Sequence, residues 1–282
     1  MNRHIRSPHP NWVKILASCT AILCCFPAAA VAQWVPPRPS SPPTAPRSGG
    51  PRLYTPPAYT PVPGPPPTGR RMGGTRSGSC TSSGETTLTA LAPYSHTGTT
   101  RSAQPTFAWY VPDSQPLSLE FRLYVYDADG HLDPQSVYKT TQLSTTGIMT
   151  LTLPPEVSLS PGKTYYWQVA LLCNPAYPSE NLVVGADIQV VNLAAPEESG
   201  LWYDQLKATL HAEPSSSSSL AIDPSGLDLL AELADIERNM SENLAAQAQV
   251  TEGNESEALQ EMSIQLLQQS EQLSHVIQAE QE

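Results

Sequence analysis

Alternation of apolar and polar residues is clearest in the stretch 159–173. A period of two places five of its residues on one face: Tyr165, Trp167, Val169, Leu171 and Cys173. This pattern predicts a strand with that face in a core. Pro161 and Gly162 come just before it and are typical of a tight turn. A tyrosine three residues after such a turn, in a strand that ends in cysteine, is typical of the tyrosine corner of immunoglobulin-like sandwiches.

Further β-rich runs separated by turn residues occur on both sides of this strand. With it they number seven: Thr86–Leu91, Thr106–Val111, Leu117–Asp127, Ser136–Leu143, Ile148–Leu153, Lys163–Cys173 and Leu182–Val191. Runs of this length and spacing favour an antiparallel sandwich. We therefore predict an all-β fold over residues 80–195, an immunoglobulin- or fibronectin-III-like sandwich of about seven strands.

The spacing of Trp202, Leu206 and Leu210 predicts a short amphipathic helix over residues 196–212. Its aromatic pair, Trp202 and Tyr203, most simply docks on the sandwich. Binding of a separate partner by the same stripe is the alternative. A serine-rich linker is expected at residues 213–222.

Residues 223–282 have the periodicity of two helices that form an acidic tail. Asp223 and Pro224 supply a cap and a first-turn proline, Thr251–Gly253 interrupts the pattern, and Asn254 with Glu257 resembles a capping box. The expected apolar seams are Leu229, Leu230, Leu233, Ile236, Met240 and Leu244 in the first helix, and Leu259, Met262, Leu266, Gln269, Leu273 and Val276 in the second. A helical hairpin or a coiled coil is expected, with self-association through these helices as a candidate contact.

The amino terminus has the pattern of a secretory signal peptide at residues 1–32. Basic residues precede an apolar run that starts at Ile15, and Ala30-Val31-Ala32 forms a small-residue cleavage pattern. The alternatives are an uncleaved anchor, for which the run is short, and a lipoprotein box at Cys19. We expect a secreted, periplasmic or extracellular protein whose mature chain has no transmembrane segment.

Residues 33–79 contain fourteen of the 30 prolines and six arginines without an acid. This composition predicts an extended, disordered basic linker, with a ligand for aromatic-grooved partner domains as the alternative. The chain carries a formal net charge of −11, and residues 197–282 carry seventeen acids against Lys207 and Arg238. We expect no nucleic-acid partner.

Cleavage of the signal peptide leaves Cys80 and Cys173 as the mature cysteines. An even pair in an exported chain indicates a disulfide. Zinc is disfavoured because no histidine lies at ligand spacing, and redox catalysis is disfavoured because neither cysteine belongs to a Cys-x-x-Cys motif.

Few residues suggest chemistry. Asp127, Asp129 and Asp133 lie close together in the segment 127–133, which also contains Gly130 and His131. This segment fits a hairpin turn better than a calcium-binding loop, because its glycine comes earlier than in an EF-hand loop. His96 and His131 lie in turn-like segments, and we expect both to be solvated rather than catalytic. We therefore predict no metal, no cofactor and no catalytic residues. The candidate interaction residues are Trp109 and Tyr110.

Several motifs together resemble a secreted bacterial family, mostly cyanobacterial, known as domain-of-unknown-function family 928. They cover about residues 70–210 and are Gly73–Cys80, Leu88–Pro93, Pro105–Pro112, Glu120–Leu123, Asp129–Gly130, Leu159–Cys173 and Gly200–Asp204. The resemblance implies that the cysteine pair and the Trp202-Tyr203-Asp204 helix are family features. It implies no activity, because the family is uncharacterised. After Leu210 the chain departs from the pattern and is expected to be an addition.

The leading hypothesis is a non-enzymatic interaction or structural module of the cell envelope, with an unidentified protein or glycan as partner. The rival is a hydrolase or carbohydrate-processing enzyme whose acids converge in space. Its candidate acids are Asp113, Glu120, Asp127 and Asp129. We also predict that a fragment from Gly73 to Leu210 folds alone.

Overall fold

The computed structural model describes residues 87–112, 115–174, 176, 178–192, 200–212 and 220–282. The predicted signal peptide, the proline-rich linker, Cys80 and Asp113 lie outside these residues, so what was inferred for them remains a prediction. The described residues form one β-rich unit in which two sheets pack with three α-helices. The expectation of a β-rich fold is confirmed, but the fold is not purely all-β, because the helices contribute to the same hydrophobic core as the strands.

Each sheet has five strands. The first follows the order β1 (Thr89–Ala90), β3 (Thr106–Val111), β6 (Gly147–Thr152), β10 (Leu220–Ile222) and β9 (Leu210–Ala212). The second follows the order β2 (Gly98–Thr100), β8 (Leu182–Val190), β7 (Thr164–Leu172), β4 (Ser118–Val125) and β5 (Tyr138–Leu143). Neighbouring strands are antiparallel, except that β2 runs parallel to β8. The helices are α1 (Trp202–Thr209), α2 (Pro224–Val250) and α3 (Asn254–Gln281), and a 3₁₀ helix spans Pro178–Glu180.

Aromatic side chains fill the space between the sheets. Phe107 from the first sheet lies 5.1 Å from Phe121 and 5.4 Å from Trp167 of the second, measured between ring centroids. Trp109 stacks on Phe121 at 6.2 Å. All four side chains are fully buried. Because strand residues alternate between faces, these contacts establish which residues of β3, β4 and β7 point outward.

The turn before β7 forms where the sequence predicts it. Gly162 adopts a φ of 80°, which glycine tolerates without strain, and its N–H donates to the carbonyl oxygen of Val190 over 2.7 Å. The hydroxyl of Tyr165 accepts a hydrogen bond from the N–H of Ser160 over 3.0 Å. The bond fixes the approach of the chain to the strand that carries Trp167.

Helix α1 docks on the sandwich through its first three residues. The Trp202 indole N–H donates to the carbonyl oxygen of Leu91 over 3.1 Å, and the Tyr203 hydroxyl donates to that of Asp187 over 3.0 Å. The carboxylate of Asp204 accepts from the Thr100 hydroxyl and from the N–H of Arg101. The buried positions are Trp202, Tyr203, Leu206 and Thr209, so the predicted stripe is displaced from Leu210.

Helices α2 and α3 form a helical hairpin, as one of the two expectations has it. Asp223 caps α2, since its side chain accepts from the N–H of Gly226 over 2.8 Å, and Pro224 occupies the first turn. The expected capping box at Asn254 is wrong. The cap position of α3 is Gly253, at a φ of 75° and without a side-chain cap.

Small polar residues bring the two helices together away from the sandwich. The Ser241 hydroxyl donates to the carbonyl oxygen of Ser263 over 2.7 Å, and the Ser263 hydroxyl donates to that of Ser241 over 2.9 Å. Met240, expected in the seam, is 41% exposed. Self-association through the hairpin stays a prediction, and it would have to use exposed residues such as Ile264 and Leu267.

The hairpin covers the outer face of the first sheet. The Gln269 side chain donates to the carbonyl oxygen of Ala90 over 3.1 Å, and that of Gln272 accepts from the N–H of Thr87 over 2.9 Å. Outward-facing residues of this sheet, such as Ala108 and Ile148, are buried. Polar side chains of α3 therefore form hydrogen bonds with backbone groups at and beside β1, while apolar side chains of the hairpin pack over the sheet.

Two further expectations need correction. Trp109 is fully buried between the sheets and Tyr110 is 7% exposed on the opposite face of β3, so neither side chain offers an interaction surface. Strand β9 replaces the end of the helix predicted at residues 196–212, and strand β10 replaces the end of the serine-rich linker. In the described part of the chain, the helices are too short or too polar to cross a membrane.

Candidate functional site

The two sheets differ in what covers their outer faces. The hairpin covers the first sheet, whereas the second carries a cleft of about 600 Å³ on its outer face. Strands β4, β7 and β8 form the floor, and the segment that contains the 3₁₀ helix forms one wall. The lining residues are Ser118, Glu120, Arg122, Gln168, Ala170, Leu172, Asn174, Pro178, Asn181 and Val183. We refer to this feature as the open cleft.

Strand register explains this set of residues. Phe121 and Trp167 point into the core, so Glu120, Arg122 and Gln168 beside them point outward. Glu120 lies opposite Ala170, and Arg122 lies opposite Gln168. The sequence thus positions a polar row of β4 next to a mixed row of β7.

A charge cluster occupies one side of the open cleft. Glu120 accepts from Arg122 Nε over 2.5 Å and lies 2.6 Å from Lys139 Nζ. Burial alone raises the pKa of Glu120, but the hydrogen bonds and charges of Lys139 and Arg122 outweigh it and hold the pKa below 4.5. Hydrogen bonds to Tyr124 and Glu120 raise the pKa of Arg122. The carboxylate is therefore ionised and neutralised by two cations at neutral pH.

The other polar side chains around the open cleft differ in how many of their hydrogen-bonding groups are already used within the protein. Asn174 donates to Glu180 and accepts from the N–H of Ala176. Asn181 uses its Oδ1 to accept from the N–H of Cys173 over 3.2 Å, which leaves its amide N–H groups for a ligand. The side chains of Ser118 and Gln168 have no hydrogen-bond partner in the described part of the chain. Both are positioned to bind a molecule in the cleft.

The acidic loop forms a turn. The Asp127 Oδ1 accepts from the N–H groups of Asp129 and His131, over 2.9 and 2.8 Å, and the strand continues after it through a bridge between Tyr126 and Leu132. Potential ligand atoms of Asp127, Asp129 and His131 lie within 4.8 Å of one another, but all three residues are exposed. The hydrogen bonds account for Asp127 as a turn former, and the turn confirms the hairpin-turn prediction.

His96 differs from the expectation of a solvated loop histidine, because only 6% of it is exposed. Its Nδ1 lies 2.8 Å from the Ser95 hydroxyl. The fully buried carboxylate of Glu237 accepts from the N–H groups of Tyr94 and Ser95, over 2.8 and 3.0 Å, and from the Ser95 hydroxyl. This cluster joins α2 to the turn before β2 and is structural.

The predicted cysteine pair is half described. Cys173 follows β7, is partly buried against the core, and its N–H donates to Asn181 at the wall of the open cleft. Cys80 lies outside the described residues, so the bridge stays a prediction. Such a bridge would add a covalent link to the chain beside this wall.

Comparison with known families matches residues 71–280 to the family described as Domain of Unknown Function (DUF928). The chain belongs to the DUF928 family. The match includes α2 and α3, so the expectation that the chain after Leu210 is an addition is wrong, in agreement with the packing of the hairpin on the first sheet. No curated protein and no solved structure matches the chain.

Sequence reasoning singled out Glu120 in this region but missed Ser118, Gln168 and Asn181. The alternation of β4 and β7 would have placed Ser118 and Gln168 on the outward face. Asn181 had no such signal, because it reaches the cleft through a loop with a 3₁₀ helix. Trp167 donates its indole N–H to Tyr203, and Asp204 accepts from Thr100, while the structural roles predicted for these residues stay predictions.

Proposed function

We propose that this DUF928 protein is an exported, non-enzymatic interaction module of the cell envelope, and that it binds its partner in the open cleft. One observation carries the proposal. The outer face of the first sheet is covered by the chain's own helices, whereas the second sheet carries a cleft whose polar side chains are in part unused. Concave sites with a few convergent polar groups are the usual places for ligands.

The rival proposal, a glycoside hydrolase, receives less support from the cleft. Such an enzyme needs two carboxyl groups about 5 to 9 Å apart. Glu120 is the one carboxylate among the described lining residues, and its lowered pKa makes it a poor proton donor. The Asp127 carboxylate is used by an exposed turn, to which Asp129 contributes its backbone N–H, and Asp113 lies outside the described residues.

The same proposal includes an immunoglobulin- or fibronectin-III-type sandwich. Support comes from the strand order, with β1, β3 and β6 in one sheet and β8, β7, β4 and β5 in the other, and from the hydroxyl of Tyr165 bonded to the chain before its strand. The predicted signal peptide supports a location outside the cytoplasm, where the predicted proline-rich linker would space the module from an attachment point.

Co-sedimentation with envelope fragments of the source organism tests the function. The purified chain should sediment with the fragments, and Ala170→Gln should abolish this, because the longer side chain projects from β7 into the cleft. Ala258→Gln, on the exposed surface of α3, is the matched control and should bind like the original chain. Equal sedimentation of a folded Ala170→Gln variant would exclude the cleft as the binding site.

A further inference from the structure

The side chains that line the open cleft indicate which class of molecule it can bind. This inference rests on the function proposed above. The floor of the cleft combines the apolar side chains of Ala170, Leu172 and Val183 with a polar border formed by Ser118 and Gln168. A ligand that fits must offer apolar surface and hydrogen-bonding groups side by side. Purely apolar molecules would leave the border groups desolvated and unpaired, which is costly.

A peptide cannot add as a further strand to β4 or β7 in this floor. Strand β4 pairs with β7 and β5, while β7 pairs with β4 and β8. Their backbone groups are therefore used by neighbouring strands, and strand addition needs a free edge. Recognition over β4 and β7 goes through side chains.

Charge argues against a polyanion. Glu120 offsets one of the two cations Arg122 and Lys139, so the cluster beside the cleft carries a net charge of about +1. The chain as a whole carries −11. Nucleic acids and other polyanions require extended basic surfaces, whereas this balance suits a neutral or weakly acidic ligand.

Unused groups at the border both donate and accept. The hydroxyl of Ser118 and the amide of Gln168 can do either, and the Asn181 amide donates. Sugar hydroxyls are likewise donors and acceptors, and the ring carbons of a pyranose present apolar C–H faces. The hydrogen-bonding and apolar groups of this cleft therefore match those on the surface of a carbohydrate.

Beyond the cleft, the same face continues with aromatic residues. Tyr124 and Tyr166 are register partners on β4 and β7, and both point outward because Leu123 and Trp167 point inward. Ser118 lies six residues before Tyr124, which corresponds to about 20 Å along the strand. Flat amphipathic rings of this kind pack against C–H faces.

We infer that the open cleft and the tyrosine pair beside it bind a neutral oligosaccharide of several pyranose units. Ser118, Gln168 and Asn181 bond its hydroxyl groups, and Ala170, Leu172 and Val183 contact its ring carbons. Tyr124 and Tyr166 extend the contact to further units of the chain.

Calorimetric titration of the purified full chain with cellohexaose, chitohexaose and laminarihexaose tests this inference. At least one of the three should bind. Gln168→Ala should weaken that binding about three- to tenfold without changing the melting temperature, because a neutral hydrogen bond contributes this much and the amide has no partner in the described chain. Asn181→Asp, which keeps Oδ1 for Cys173, should weaken binding similarly. Gln260→Ala, on the exposed surface of α3, should leave it unchanged.

Two outcomes would overturn the inference. One is the absence of binding to all three oligosaccharides, and the other is binding that Gln168→Ala and Asn181→Asp leave intact. If no oligosaccharide binds but Ala170→Gln still abolishes sedimentation with envelope fragments, the carbohydrate class is wrong and the proposed site stands. If sedimentation is also insensitive to Ala170→Gln, both proposals fail.

Discussion

Glu237 shows that an acidic residue of the helical hairpin can be buried and form structural hydrogen bonds instead of facing solvent. Its carboxylate accepts two backbone N–H groups and the Ser95 hydroxyl from a turn 142 residues earlier in the chain. The N–H groups of Tyr94 and Ser95 would otherwise lack this acceptor, so the carboxylate takes the place of water for both backbone groups.

We expect Glu237→Ala to lower the free energy of unfolding by about 3 kcal/mol, because it leaves buried donors of Tyr94 and Ser95 unpaired. Urea unfolding followed by circular dichroism measures this. Glu242→Ala, at an exposed position of the same helix, is the control and should change stability by less than about 0.5 kcal/mol. Equal effects of the two changes would contradict the role given to Glu237.

Among the elements, those with long and regular patterns could be predicted and the short ones could not. The alternation in β3, β4 and β7 is carried by large side chains such as Phe107, Phe121 and Trp167, which leave little choice of face. Strands β2, β9 and β10 have three residues each, too few to show a period. Their pairing is decided by distant partners such as Ile188 and Ile148.

Packing of the hairpin was missed for a related reason. Gln269 and Glu237 interrupt the apolar seams, which made the helices resemble a weak coiled coil. Both side chains instead bond backbone atoms of residues 90–95, a role that only the folded chain reveals. The open cleft was missed because the side chains that are free to bind a ligand, Ser118, Gln168 and Asn181, come from separate strands and a loop and meet only in the folded chain.

Docking of α1 depends on one hydroxyl group that acts twice. The Tyr203 hydroxyl accepts from the Trp167 indole over 2.8 Å and donates to the carbonyl oxygen of Asp187. Tyr203→Phe should therefore lower the free energy of unfolding by about 2 to 4 kcal/mol, since two buried groups lose their partner. The Tyr138 hydroxyl makes no hydrogen bond in the described residues, so Tyr138→Phe is the control and should lower the free energy of unfolding far less. Thermal melts of both variants measure the difference. A cost for Tyr203→Phe no larger than that control would refute the assignment.

For the whole molecule, the hairpin is part of the folding unit, and the earlier expectation about the fragment ending at Leu210 is revised. The common core includes Ala234 and five larger aliphatic side chains of the hairpin: Leu229, Leu230, Leu233, Leu273 and Val276. At about 1.5 to 3 kcal/mol each, their burial is comparable to the net stability of a typical domain.

We therefore expect the fragment from Gly73 to Leu210 to remain unfolded or to aggregate, whereas Gly73 to Glu282 folds. Circular dichroism and size-exclusion chromatography of the two chains measure this. A cooperative melt of the shorter fragment at the temperature of the longer one would show that the hairpin is dispensable.

The predicted bridge between Cys80 and Cys173 also acts at this scale, because it would close a loop of about 90 residues. Cys80→Ser or Cys173→Ser should lower the free energy of unfolding by about 2 to 5 kcal/mol, and the double variant should lose no more than either single one. Chemical denaturation and non-reducing peptide mapping measure the two quantities. Free thiols at both positions in the exported protein would contradict the bridge.

The bonds between Thr87 and Gln272 span 185 residues, nearly the length of the described chain. Synthesis delivers a chain from its amino terminus, so β1 emerges long before α3, which supplies its hydrogen-bond partner. Contacts this distant also close slowly. Until α3 has emerged, the apolar outer face of the first sheet has no cover and is open to aggregation. The emergence of α3 thus sets the moment at which the sheet can be covered, and a chain stalled or cleaved before α3 would leave an aggregation-prone intermediate.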